Sequence, residues 1–298
     1  MAGPAVTVAT VQCPVTGSPA HNAAAIVRAM RRAAARGARV VHCTEGALSG
    51  YTREQIPSWD AVDFAAVRAG LERIAAEARR LGVWAVVGSA HALTPPNRPH
   101  NALYVVSDRG EIAGRYDKRR CSNNEINNWY SPGFEPCVFA VDGIRFGCAL
   151  CIEVNFPELF VEAAGLGVDV MLLSAYSRDP IYGVLAQAHA AANNLWVSYS
   201  VPVDASPAYA SRMFGPDGSE VARCRRRRDQ VLVTPVVPGD PAWEIPLRRA
   251  RPWRALARAG GIYEARRVDD PRSRALEPLA RRLPSGTGSD VRTKGRPG

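Results

Sequence analysis

The chain has 298 residues, 47% of them hydrophobic and 22% charged, and reads as a globular protein with enough residues for a sizeable core. No apolar run approaches the ~20 residues a bilayer span needs, and the N-terminal stretch lacks a basic-then-apolar signal pattern, so a cytoplasmic protein is expected. The net charge of +10 sits mostly in residues 240–298, with 14 Lys and Arg against 7 Asp and Glu, and in the run Arg225-Arg226-Arg227-Arg228. The main body is nearly balanced, which argues against nucleic acid as the main partner and leaves the tail facing solvent or an acidic partner. Seven scattered cysteines, an odd number, read as reduced thiols and not as a disulfide framework.

In chain order, Val6–Gln12 alternates like a strand, and residues 20–36 form an alanine-rich helix stopped by Gly37. Val40–Cys43 is a second strand, after which Thr44-Glu45-Gly46 must begin a loop. Residues 63–80 form an amphipathic helix ended by Gly82, and Val83–Gly88 is a strand of buried type. Strands follow at 102–107, 111–116, 137–141 and 144–151, joined by turns that include Asp108-Arg109-Gly110 and Asp142-Gly143. Phe156-Pro157-Glu158 opens a helix to about Gly165. A strand at 168–173, a helix at 181–194 and a strand at 196–201 come next, then the hairpin turn Pro216-Asp217-Gly218 and a strand at 231–234. Helix–strand alternation at both ends with hairpins between predicts a mixed sheet system covered by helices on its outer faces. Residues 1–239 read as one domain. Residues 240–298 read as a basic arm, partly ordered to about 282 and disordered beyond.

Cys151 stands where a strand gives way to a helix, a place that exposes a sulfur and favours its thiolate. Cys148 makes a Cys-x-x-Cys with it, but positions i and i+3 of a strand face opposite ways. A Cys-His pair would need one of His21, His42, His91, His100 or His189, of which His42 and His189 lie inside regular elements. Glu45 and Lys118 also stand at strand ends, so acid, cation and thiol could meet where α/β sheets gather their ligands.

These three contexts resemble the nitrilase superfamily of carbon–nitrogen hydrolases. Glu45-Gly46-Ala47-Leu48-Ser49-Gly50-Tyr51 is similar to its glutamate motif. Asn101-Ala102-Leu103 with Arg115-Tyr116-Asp117-Lys118 is similar to its lysine motif, and Gly147 through Leu159 to its nucleophile motif. Ser211 with Pro216-Asp217-Gly218 resembles a later hairpin, and the likeness covers roughly residues 5–238. Glu125, ahead of Trp129-Tyr130-Ser131-Pro132-Gly133, matches the family's second glutamate. The resemblance implies an α/β fold, a four-layer αββα sandwich often built into a homodimer, with C-terminal segments exchanged between subunits. Thr44 departs from the family's usual proline, and His189 and Ala192 replace an arginine and a glutamate that brace a helix.

The same resemblance implies a mechanism without metal or organic cofactor. Cys151 would attack a carbon bonded to nitrogen, and Glu45, its pKa raised by burial, would carry the proton. Lys118 and a backbone N–H near Ile152 would stabilise the oxyanion, and Glu125 would hold substrate and lysine in register. Glu153 is expected to support the site without carrying a proton. Tyr51, Trp129 and Ile152 are candidate substrate contacts. Ile152 in place of the nitrilase tryptophan, and uncharged Val154 and Asn155, favour a small-molecule amide over a nitrile or an N-carbamoyl acid. A non-catalytic scaffold whose tail holds an acidic partner is the alternative from another class.

Overall fold

A computed structural model describes residues 5–274, and twelve strands in it form two six-stranded sheets. The first holds β1 (Val6–Gln12), β2 (Val40–His42), β3 (Trp84–His91), β4 (His100–Val106), β5 (Ile112–Asp117) and β12 (Gln230–Val236). The second holds β6 (Val138–Val141), β7 (Ile144–Leu150), β8 (Val170–Ser174), β9 (Trp196–Ser200), β10 (Arg212–Phe214) and β11 (Glu220–Arg223). Their orders are β12-β1-β2-β3-β4-β5 and β11-β10-β9-β8-β7-β6, each with three parallel strands in the middle and antiparallel strands outside them. Three parallel strands per sheet need crossovers, which the helices supply. Helices α1 (Pro19–Ala34) and α2 (Phe64–Leu81) pack with the first sheet, and α3 (Pro157–Gly165) and α4 (Ile181–Asn193) with the second.

Strand periodicity sorts the core into three layers. On β1, Val6 and Val8 join the layer between the sheets while Ala9 and Val11 face the helices; on β8, Val170 and Leu172 face inward and Met171 and Leu173 outward. The result is the αββα sandwich. Toward the ends of the parallel strands the inter-sheet layer turns polar. His42 Nδ1 meets Ser198 Oγ at 2.8 Å and His42 Nε2 meets Ser174 Oγ at 2.8 Å, while Thr10 Oγ1 lies 2.6 Å from Ser198 Oγ. Each group is buried and paired, as burial demands. Burial pushes the His42 imidazole down to about 3, so it is neutral at physiological pH.

Several expectations are refined. The Pro216-Asp217-Gly218 turn joins β10 to β11 in the second sheet, whereas β12 crosses back to pair antiparallel with β1 in the first. Asp142 (φ 50°) and Gly143 (φ 82°) both take left-handed backbone, the twist-matched form of a two-residue hairpin between β6 and β7. Between β7 and α3 a five-residue 3₁₀ turn, Cys151–Asn155, intervenes, so Cys151 does not abut the N-terminus of α3.

The chain divides into compact units at residues 1–255 and 256–298. Trp243 and Leu247, expected in an arm reaching a neighbouring subunit, pack on this chain's own inter-sheet core, with Trp243 edge-on to Trp196 at 5.9 Å. Arg251 pairs with Asp169 at 2.9 Å. In the second unit, a short helix at Gly261–Glu264 is followed by a 3₁₀ turn at Pro271–Arg274, and Tyr263 and Val268 are exposed. The disorder expected beyond residue 282 lies outside the described residues. Among the described residues no helix is long and apolar enough to cross a membrane.

Candidate active site

Glu45 leaves the end of β2 in a tight loop that nests against β3. A Cβ at Gly88 would stand 2.2 Å from the Thr44 carbonyl and 2.9 Å from the Glu45 Cα, so only glycine admits this loop. The Thr44 hydroxyl donates to the Ala175 carbonyl (2.7 Å), tying the loop to the end of β8. That bond gives the threonine in place of proline a structural role. On the other side Lys118 follows β5 directly, and a Cβ at Gly133 would overlap the Asp117 carbonyl at 2.4 Å, so the chain can close over the lysine there as well.

The fold brings Glu45, Lys118 and Glu125 into one buried cluster. Lys118 Nζ donates to Glu45 Oε1 (2.9 Å) and to Glu125 Oε1 (2.8 Å), and all three side chains are at most 3% exposed. Asn101 Nδ2 also bridges the two carboxylates, at 2.7 Å to Glu45 and 3.3 Å to Glu125. The Tyr176 N–H donates to the other Glu45 oxygen (2.8 Å), and the Ser122 N–H to the other Glu125 oxygen (2.8 Å). Burial alone would discharge Lys118, but its two carboxylate partners outweigh this and hold its pKa well above the usual range. Burial likewise pushes Glu125 up, and the lysine together with Ser122 reverses the shift and holds it low. Both groups are therefore ionised at neutral pH.

Cys151 stands beside this cluster, 6% exposed, on left-handed backbone with φ 49°. That conformation is costly for a residue with a Cβ and takes the residue out of the strand geometry. Here the expected ease of ionisation is corrected. Burial pushes the Cys151 thiol well above its ordinary value and the Glu45 charge adds to this, with Lys118 opposing. With two carboxylates and one lysine nearby, the resting sulfur keeps its proton at neutral pH. Cys148 faces the opposite way, into the inter-sheet core.

Glu153 braces the turn. Its carboxylate accepts the Leu150 N–H (2.7 Å), the Arg119 and Arg120 N–H groups (2.7 and 2.9 Å) and the Tyr116 hydroxyl (2.8 Å). One buried side chain thus locks the segment carrying Lys118 to the turn carrying Cys151. His189 braces the same turn from α4, with its Nε2–H donating to the Val154 carbonyl (2.8 Å) and its ring stacked on Phe160 at 3.8 Å.

Of the expected substrate contacts, Tyr51 lies at the cluster, its hydroxyl donating to Glu125 Oε1 (3.2 Å) and its ring stacked on Tyr176 at 5.1 Å. Trp129 packs edge-on against Trp59 at 5.7 Å, and Ile152 sits half-buried in the 3₁₀ turn. A cavity of about 370 Å³ opens beside Glu125 and is lined in part by Tyr51, Thr52 and Arg53. Asn101 stood in the lysine motif by sequence but without a role, and the structure gives it one as the bridge between the two carboxylates. Tyr176 escaped sequence reasoning altogether and carried no signal, because it acts on Glu45 through its backbone.

The family model for carbon-nitrogen hydrolases matches residues 7–240, and the chain belongs to that family. Among curated relatives, 2-oxoglutaramate amidase of Bacillus subtilis (strain 168) is 28% identical over 99 residues, which are 33% of this chain and 38% of that protein. Deaminated glutathione amidase of Mus musculus is 24% identical over 170 residues, 49% of this chain and 52% of the relative, so these matches span well under two thirds of either relative. A cysteine-to-alanine mutant of the amidase from Nesterenkonia sp. AN1, in complex with butyramide, superposes with a TM-score of 0.71 at 24% identity, covering 85% of this chain and 97% of the other. A variant of that amidase, carrying the acetamide moiety of fluoroacetamide on its active-site cysteine, gives 0.71 at 23% identity over 85% and 97% of the two chains. At such identities the superpositions establish the αββα fold.

Proposed function

We propose that this protein is a cysteine-dependent amidase that releases ammonia from a small-molecule amide through a thioester acyl-enzyme. The observation that carries the reading is the buried Lys118 held between Glu45 and Glu125 beside the left-handed turn of Cys151. A protonated thiol needs a base at the moment of attack, and Glu45, held by Lys118, Asn101 and the Tyr176 N–H, is the base in this proposal. Sulfur bonds to the amide carbon while its proton passes to Glu45. The proton then goes to the departing nitrogen as the C–N bond breaks, releasing ammonia. Water, deprotonated by Glu45, opens the thioester and restores the thiol. Lys118 and the Ile152 N–H stabilise the oxyanion in both halves, each worth about 3–4 kcal/mol. Glu125 keeps the lysine in place.

The proposal extends to a homodimer in the cytoplasm, with residues 1–239 as the catalytic domain and 240–298 as a basic C-terminal segment whose first part packs on its own chain; the family match ending at residue 240 supports that boundary. The relatives named as amidases, and the butyramide bound to a protein of the same fold, support an amide over a nitrile or a ureido acid. The test is ammonia release from a panel of amides, ureido acids and nitriles, with wild-type protein and Cys151→Ala. Turnover of an amide that disappears in the variant is expected; turnover unchanged by the substitution would sink the reading.

A further inference from the structure

The arginine run at 225–228 plays no part in the proposed reaction, yet the fold takes care to hold it still. Gln12, fully buried, donates through Nε2 to the Arg225 and Arg228 carbonyls, both at 2.8 Å. The Arg225 N–H donates to Gln230 Oε1 (2.8 Å), and the Arg227 N–H to the hydroxyl of buried Ser206 (2.7 Å). Four hydrogen bonds thus fix the backbone of a loop whose long side chains would otherwise be merely solvated.

Beside this loop lies a cleft of about 660 Å³ lined by Ala210, Arg212, Arg223, Cys224, Arg225 and Arg226. Arg212 forms its buried wall, 7% exposed, with its guanidinium 3.6 Å from the centre of the Tyr209 ring, Nε donating to the Ala210 carbonyl at 3.0 Å and Nη1 to Glu220. Glu220 also faces Arg223, at 3.6 Å. Among the described residues no carboxylate pairs with Arg225 or Arg226. Four arginines therefore line one concavity, with Glu220 paired to two of them, and a concentration of positive charge of this kind favours a multiply charged anion.

We propose that this cleft binds a small ligand bearing a pyrophosphate group. A lone carboxylate would use one guanidinium fork, whereas two linked phosphates present enough oxygens and charge for several. The volume falls in the range of about 300–1,000 Å³ that small-molecule sites occupy. A nucleic acid would call for a longer cationic track with free aromatic faces for bases; none of the lining residues is aromatic, and the Tyr209 ring behind Arg212 is covered by its guanidinium.

The probe is inorganic pyrophosphate, titrated calorimetrically into the full chain at low and at physiological salt. A nucleoside triphosphate and a short single-stranded oligonucleotide serve as further arms. The double variant Arg225→Ala/Arg226→Ala is compared with Arg228→Ala/Arg248→Ala, which removes the same charge from exposed positions outside the cleft. Saturable binding by the wild type, weakened about tenfold or more in the first variant and little changed in the second, is expected. The triphosphate binding as tightly as pyrophosphate identifies the phosphates as the recognised part; binding much more tightly adds a base contact to the same site. No saturable binding, or equal weakening in both variants, would overturn the proposal, and an oligonucleotide that outcompetes pyrophosphate would replace it with a nucleic-acid surface. Hydrolysis of the amide panel serves as a folding control, because all four substituted arginines lie outside the proposed machinery.

Discussion

At the scale of single residues, the site opposes a standing thiolate and favours transfer of the proton on demand. Cys151 is buried next to Glu45, and the pair of carboxylates outweighs Lys118 in the charge it feels. A raised thiol pKa means that the reactive fraction grows with pH across the neutral range. Alkylation of Cys151 by iodoacetamide is expected to speed up about tenfold per pH unit from about pH 7 to about pH 9 with no plateau; a rate that levels off by about pH 9 would show that the sulfur ionises at or below its ordinary value. Glu45→Gln keeps the shape but loses the carboxylate proposed as the base, and Lys118→Ala loses the cation that both carboxylates share. Each is expected to lower kcat/KM by several orders of magnitude. A drop of only about tenfold in either would mean that the roles are assigned wrongly.

At the scale of elements, the site depends on joints between segments distant in sequence. Glu153 joins β5's exit to the 3₁₀ turn after β7 by accepting three backbone N–H groups and one hydroxyl. Glu153→Ala would leave those buried donors without an acceptor. A loss of about 3–5 kcal/mol in urea unfolding is expected, with kcat falling by more than KM rises. Unchanged stability would mean that the donors find other partners and that Glu153 is no joint. Strand and helix positions were largely legible in the sequence, because Val6–Gln12 alternates, Val40–Cys43 is a short apolar run before a loop, and residues 63–80 repeat at helical spacing. The 3₁₀ turn at Cys151–Asn155 was not legible. Its shape is imposed by Glu153's distant partners, which no local pattern records.

At the scale of the whole molecule, two sheets meet through a layer that is apolar at one end and polar near the site. His42, neutral and bonded to Ser174 and Ser198, is the titratable group of that polar end. Its folded pKa of about 3 lies below its unfolded value, so the unfolded chain binds the proton first as pH falls. This contribution is complete above pH ~6.5 and is lost progressively as pH drops toward about 3; at pH 5 the loss amounts to about 2 kcal/mol. His42→Asn is expected to flatten the fall in stability between pH 7 and pH 5, measured by denaturant unfolding. An equally steep fall in the variant would assign the acid sensitivity to other groups.

The sequence by itself determined the alternation of elements, the family likeness and the order of Glu45, Lys118, Glu125 and Cys151 along the chain. These follow from local periodicity, turn residues and motif spacing, all of which are one-dimensional. The tertiary structure decided that Lys118 lies between two carboxylates with Asn101 bridging them, that the thiol beside them holds its proton, and that a pinned arginine loop faces a cleft. Burial and charge proximity set those properties, and both depend on which distant segments the two sheets bring together.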